Sequence, residues 1–117
     1  MSNGVTEICG YDHLARNGHW GKIDSAEEIA PGILFVTTPR HEGFILNYDR
    51  YCEMHPTLRK ASFTNDQCFE GDCSACAVVI MWPHLFSQDS RVIAYKSWDT
   101  WYAPKHGSLA SIFPDRF

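Results

Sequence analysis

Five cysteines and six histidines are the side chains through which this chain could do chemistry, and their spacing decides which chemistry is open to it. Cys68, Cys73 and Cys76 follow the pattern Cys-x4-Cys-x2-Cys, part of the spacing of a plant-type iron–sulfur site, with Cys52 available as a fourth thiolate. Three of these thiolates with His55 or His84 would make a zinc site instead. The surroundings argue against both. Cys73 and Cys76 fall in an apolar run, where a thiol fits as a small hydrophobe, and Gly71 is the lone glycine in a stretch that a metal loop would enrich in glycine. Reduced, metal-free thiols and no cofactor are therefore expected.

A second constellation comes from two polar stretches. Arg40, His41 and Glu42 lie between two apolar runs, and Glu70 and Asp72 precede a third. If folding joined them, a histidine facing two carboxylates could act as a general acid and base or hold a divalent cation. The alternative is structural: Asp72 caps a helix, while His41 and Glu70 hydrogen-bond to hold a hairpin against it. That reading is preferred, because polar clusters of this kind commonly serve the scaffold. The chain contains no phosphate loop, nucleophile elbow or zincin helix motif. Tyr95, Trp98, Trp101 and Tyr102 could stack nucleic-acid bases, but at helical spacing they read first as a core stripe. Arg40, His41, Glu42, Trp101 and Tyr102 are the residues expected to meet a partner.

The elements that must position these residues follow from the apolar patterning. Residues 1–30 are rich in glycine and polar groups and read as an irregular arm, with one short strand near Trp20 to Ile23. Ile33 to Thr37 and Phe44 to Leu46 form a β-hairpin through a loop at Thr38 to Glu42. Asn47 caps a short helix that places Tyr48, Tyr51 and Cys52 on one buried stripe before Pro56. Cys73 to Trp82, apolar on every side, is assigned to a helix, although its Val-Val-Ile centre suits a strand equally well. Ser87 caps a last helix, with Ala94, Tyr95, Trp98, Trp101 and Tyr102 on one face before Pro104. The tail from 106 to 117 is a loop anchored by Phe113 and Phe117. The expected fold is a single α+β domain over 1–117, with its core at 31–105: a small antiparallel sheet packed against about three helices.

Composition bounds the function. A chain of 117 residues can bury about 65% of its unfolded surface. Its 14% aromatic content argues against disorder. A net charge of −4, from 14 acidic and 10 basic residues, lacks the cationic excess that drives phosphate binding by counterion release. Direct nucleic-acid binding is thus not expected. No apolar run approaches the roughly 20 residues needed to span a bilayer, and there is no secretory leader pattern, so a cytoplasmic protein is expected, whatever cell makes it.

Three stretches carry a family likeness. Thr37-Thr38-Pro39-Arg40-His41-Glu42-Gly43-Phe44, then Cys68-Phe69-Glu70-Gly71-Asp72-Cys73, then Ala77 to Phe86 with Pro83-His84-Leu85-Phe86 at its end, resemble an uncharacterised domain family of bacterial plasmids and phages. That family shows Thr-Pro-Ser-His-Gly-Gly, a paired-acid stretch, a hydrophobic helix and a Phe-Pro-Glu-Leu-Phe-like end. Pro39, His41, Gly43, Glu70 and Asp72 match it. Arg40, Glu42 and Gly71 depart from it, and the cysteines lie outside it. Such domains occur in or beside antirestriction-like proteins, so the resemblance implies a mobile-element setting without implying an activity. The expected function is binding and inhibition of a host defence protein, without catalysis. An enzyme or ligand-binding domain using His41, Glu70 and Asp72 is the alternative from another class, and a cysteine–metal interaction module the third. A homodimer is the self-association to consider.

Overall fold

A computed structural model describes residues 23–39, 41–62, 67–71 and 74–117. Its centre is a four-stranded antiparallel sheet in simple meander order. The strands are β1 (Ser25–Ala30), β2 (Ile33–Thr37), β3 (Glu42–Leu46) and β4 (Cys68–Glu70). The hairpin expected from 33 to 46 is therefore the middle of a sheet, extended on both sides. Ser25 to Ala30, expected to belong to the irregular arm, is a strand. Its Glu27 and Glu28 hide it, because charged residues suit an edge strand that must not recruit further partners. Of the strand expected near Trp20 to Ile23, residues 20–22 lie outside the described ones, and Ile23 precedes β1.

Period-two alternation sorts the sheet into two apolar faces. Phe35, Phe44 and Phe69 are cross-strand neighbours, and Leu34, Ile45 and Cys68 form the adjacent row. Phe44 and Phe69 join the main core, with Phe35 packed against it, while Leu34, Val36, Ile45 and Cys68 make a second cluster. Alternate residues of a strand point to opposite faces, so the unbroken apolar run of β2 signals burial on both sides. Gly32 makes the tight β1–β2 turn at φ +88°. An added Cβ there would stand 2.5 Å from Arg50 Cγ and 2.8 Å from Asn47 Oδ1.

Helices close one face. α1 (Tyr48–Glu53) is capped by Asn47, whose side-chain oxygen accepts the Arg50 amide at 2.9 Å. Of its expected buried stripe only Tyr51 packs, partly buried, against the core, whereas Tyr48 is 68% exposed and Cys52 is also exposed. This helix lies on the surface, and its stabilising contacts come from Arg50, stacked over Trp82, and from Arg59 over Tyr51. α2 (Pro56–Arg59) comes next, capped by His55. The apolar run becomes α3 (Ala75–Met81), as expected, with Ala75 to Ile80 all buried. Its cap position is held by Ser74, two residues beyond the expected Asp72, which lies outside the described residues. Ser74 Oγ instead accepts the Glu70 amide at 2.7 Å, tying the end of β4 to the start of α3.

Pro83 ends α3, a 3-10 turn (Pro83–Leu85) reverses the chain, and α4 (Gln88–Ser97) runs back against α3. Ser87 caps α4, accepting the Ser90 amide at 3.1 Å. Arg91 clamps the turn by donating to the carbonyls of Pro83 and Phe86, each at 3.2 Å. A π-helical turn (Trp98–Tyr102) then carries the path into α5 (Ala103–His106), past the Pro104 where the helix was expected to stop. The tail expected to be a loop contains α6 (Leu109–Ile112), capped by Ser108.

The π turn decides which aromatic rings are inside. Trp98 is fully buried and stacks on Tyr102 at 5.1 Å between ring centroids, while Trp101 is 72% exposed. One extra residue in a turn rotates the side chains beyond it, so Tyr102 takes the inward place and Trp101 leaves the expected stripe. Trp98 Nε1 also donates to the Gly107 carbonyl at 2.9 Å. Urea unfolding should show Trp98→Ala losing about 3–5 kcal/mol, the usual loss for a buried aromatic. Trp98→Phe should lose less, about 1–3 kcal/mol, from the unpaired carbonyl and smaller ring. Trp101→Ala should stay within about 0.5 kcal/mol of the parent.

Candidate functional site

The sheet and the α3–α4 pair meet at an open apolar cleft. β2 and β3 present Phe35 and Phe44 side by side, with ring centroids 5.4 Å apart. The turn after Pro83 brings Phe86 edge-on to Phe44 at 5.6 Å. Val79 and Cys76 of α3 and Ile93 of α4 complete the apolar lining, and Glu42, Ser90 and Ser97 supply its polar groups. The cleft holds about 290 Å³. That is at the small end for a small-molecule pocket and suits one or two side chains of a partner.

Gly71 makes the neighbouring corner. Its amide donates to the Glu42 carbonyl at 2.6 Å, and an added Cβ would stand 2.9 Å from that oxygen. The glycine that interrupts the two acidic residues is thus required by the close approach of β3 and the chain leaving β4. Glu42 itself is exposed and lines the cleft.

The two expected polar stretches do come together. His41 Nδ1 lies 3.0 Å from Glu70 Oε2, with side chains 38% and 24% exposed. Thr38 frames the connection: its amide and hydroxyl both donate to the His41 carbonyl, and its hydroxyl oxygen accepts the His41 amide. A partly exposed pair of this kind is worth under about 1 kcal/mol, so it orients the β2–β3 connection more than it stabilises the fold. Arg40 and Asp72, the other members of these stretches, lie outside the described residues. Of the remaining binding candidates, Glu42 and Trp101 are exposed, whereas Tyr102 is buried and is withdrawn from any binding surface.

The cysteines separate. Cys68 belongs to the cluster on the far face of the sheet, Cys76 to the main core, and Cys52 to the surface of α1. His55 accepts the Thr57 amide at 3.1 Å and packs edge-on to Phe113, and His84 is exposed. Among the described residues no three His, Cys, Asp or Glu side chains converge. Cys73 lies outside those residues.

Phe35, Phe86, Ile93 and Ser97 carry no sequence signal that marks them as site residues. No spacing could have found them, because the cleft is assembled from β2, β3, α3 and α4 by long-range packing. Glu42 is different, since it shows in the sequence as a charge next to a strand.

These elements define a small α+β domain with a preformed apolar cleft beside a hydrogen-bonded histidine–glutamate pair. The chain belongs to the family described as a domain of unknown function, DUF7007, whose model matches residues 13–113. No curated protein and no solved structure matches it.

The Tyr48 phenol is displaced from its ordinary value. The exposed Tyr48 phenol is raised, first by its hydrogen bond to Cys52 and then by the thiolate charge that opposes a phenolate. A raised phenol favours the neutral, hydrogen-bonded form, so this contact acts below the ordinary tyrosine value of about 10 and is lost as pH rises through the folded value. Cys52→Ala should lower the Tyr48 midpoint toward about 10 in an NMR titration of the tyrosine rings.

Proposed function

We propose that this protein is a non-catalytic binding module that captures a protein partner in the cleft lined by Phe35, Phe44, Phe86 and Ile93. The partner we propose is a host defence protein of the restriction or CRISPR type. The cleft carries the first part of this reading: an open, preformed apolar recess of about 290 Å³ with a carboxylate beside it. An aromatic or aliphatic side chain flanked by Lys or Arg would fill such a site, since apolar anchors with complementary charge give an interface its energy and its orientation. The resemblance to plasmid and phage domains beside antirestriction-like proteins supports the second part.

The His41–Glu70 contact favours one other reading, an enzyme using that pair as a base. The bonds from Thr38 to both the amide and the carbonyl of His41 support the scaffold role instead. Affinity capture from host extract, followed by titration of the purified partner, tests both readings. Glu42→Lys reverses the charge beside the cleft at an exposed site, so it should weaken binding at least about tenfold, as for loss of a close charge pair. Its stability should stay within about 0.5 kcal/mol of the parent. His41→Ala should change binding only in proportion to lost stability. A fully stable but inactive His41→Ala variant would promote the enzyme reading.

A further inference from the structure

We infer that α4 is the interface of a two-fold symmetric dimer, in which the α4 helices of two copies of this chain pack antiparallel. Asp89, Val92, Ile93 and Lys96 stand at i, i+3, i+4 and i+7 of that helix, the spacing that places four residues on one stripe. All four are exposed, with Val92 at 55% and Ile93 at 65%. A β-branched pair so exposed, on a helix whose other side is packed on the core, is apolar surface that the described residues leave uncovered.

The order of the stripe identifies the occupant. It reads acid, aliphatic, aliphatic, base, a sequence that is complementary to its own reverse. With a two-fold axis between Val92 and Ile93, Asp89 of one copy faces Lys96 of the other, and Val92 of one faces Ile93 of the other. Each contact then occurs twice, as an isologous interface requires. A parallel arrangement in register would set Asp89 against Asp89 and Lys96 against Lys96, so the charges select the antiparallel pairing.

Trp101 extends the same contact. It is 72% exposed, two turns beyond Ile93, and in the antiparallel pairing it comes level with the turn at His84 to Phe86 of the second copy. An exposed tryptophan at that place gives the dimer an aromatic anchor at each end of its central aliphatic patch, the type of residue that interfaces favour. The face is narrower than a standard interface, so the dimer is reversible and depends on protein concentration. The stripe shares Ile93 with the proposed cleft, but the charged residues that define it, Asp89 and Lys96, do not line the cleft and Glu42 is not on the stripe, so charge variants at 89 and 96 and at 42 test the two readings separately.

Sedimentation velocity over a concentration series of the full chain tests the pairing. The parent should shift from monomer to dimer as concentration rises. Asp89→Lys and Lys96→Asp should each weaken association by about tenfold or more, since each sets like charges together at two symmetric places. The double exchange D89K/K96D should restore the dimer to within about threefold of the parent, because exchanged charges on the same stripe remain complementary. Both positions are exposed, so the fold should tolerate these changes. A parent that stays monomeric up to about 1 mM, the weak limit of specific association, would overturn the inference. Single variants that dimerise like the parent, or a double exchange that fails to restore association, would overturn it as well.

Discussion

The structure depends on the burial of α3. Ala75, Cys76, Ala77, Val78, Val79 and Ile80 are all buried, so this helix has no solvent face and must be covered around its circumference. An α-helix satisfies its own interior backbone bonds, which is what allows a wholly apolar segment to lie inside. The sheet covers one side, through Phe44 and Phe69, and α4 with Trp98 covers another. The last free carbonyls need separate partners. Trp82 donates its amide to Val78, and Arg116, from the far end of the chain, donates to Ile80 at 2.7 Å while its guanidinium stacks on Phe113. The tail is therefore part of the helix's cover, although its sequence reads as a loop.

The cleft arises from the same constraint. A helix covered by a sheet and by a second helix leaves a seam where those two covers meet, and here the seam runs between Phe35 and Phe44 on one side and Ile93 and Ser97 on the other. Val79 and Cys76 line it because α3 lies between its covers. Sequence alone could identify the helix that requires covers, but it could not say where two covers would fail to touch.

Elements that declare themselves locally were legible. Asn47 and Ser87 cap the helices they were expected to cap, the hairpin strands lie where the β-branched runs placed them, and the all-apolar run is a helix. Features set by tertiary context were not. β1 looks polar because it is an edge, and β4 has only Cys68 to Glu70 to signal it. The expected stripe on α1 failed because helical spacing says which residues share a face without saying that the face is buried. Trp101 moved outward because a π turn interrupts the regular period, and nothing in the residue pattern announces that turn. For the site, the meeting of His41 with Glu70 was legible as two polar stretches flanking apolar runs, whereas the cleft beside them was not.

If the protein acts by holding a partner in the cleft, site-directed photocrosslinking in the host cell reveals it most directly. A photoreactive phenylalanine analogue at Ser97 lies in the cleft, and the same analogue at Lys60 lies at an exposed position outside it. The expected result is a defined adduct with one host protein from position 97 and none from position 60. Identical adducts from both positions, or adducts from position 97 only with a second copy of the chain, would contradict capture of a host protein in the cleft.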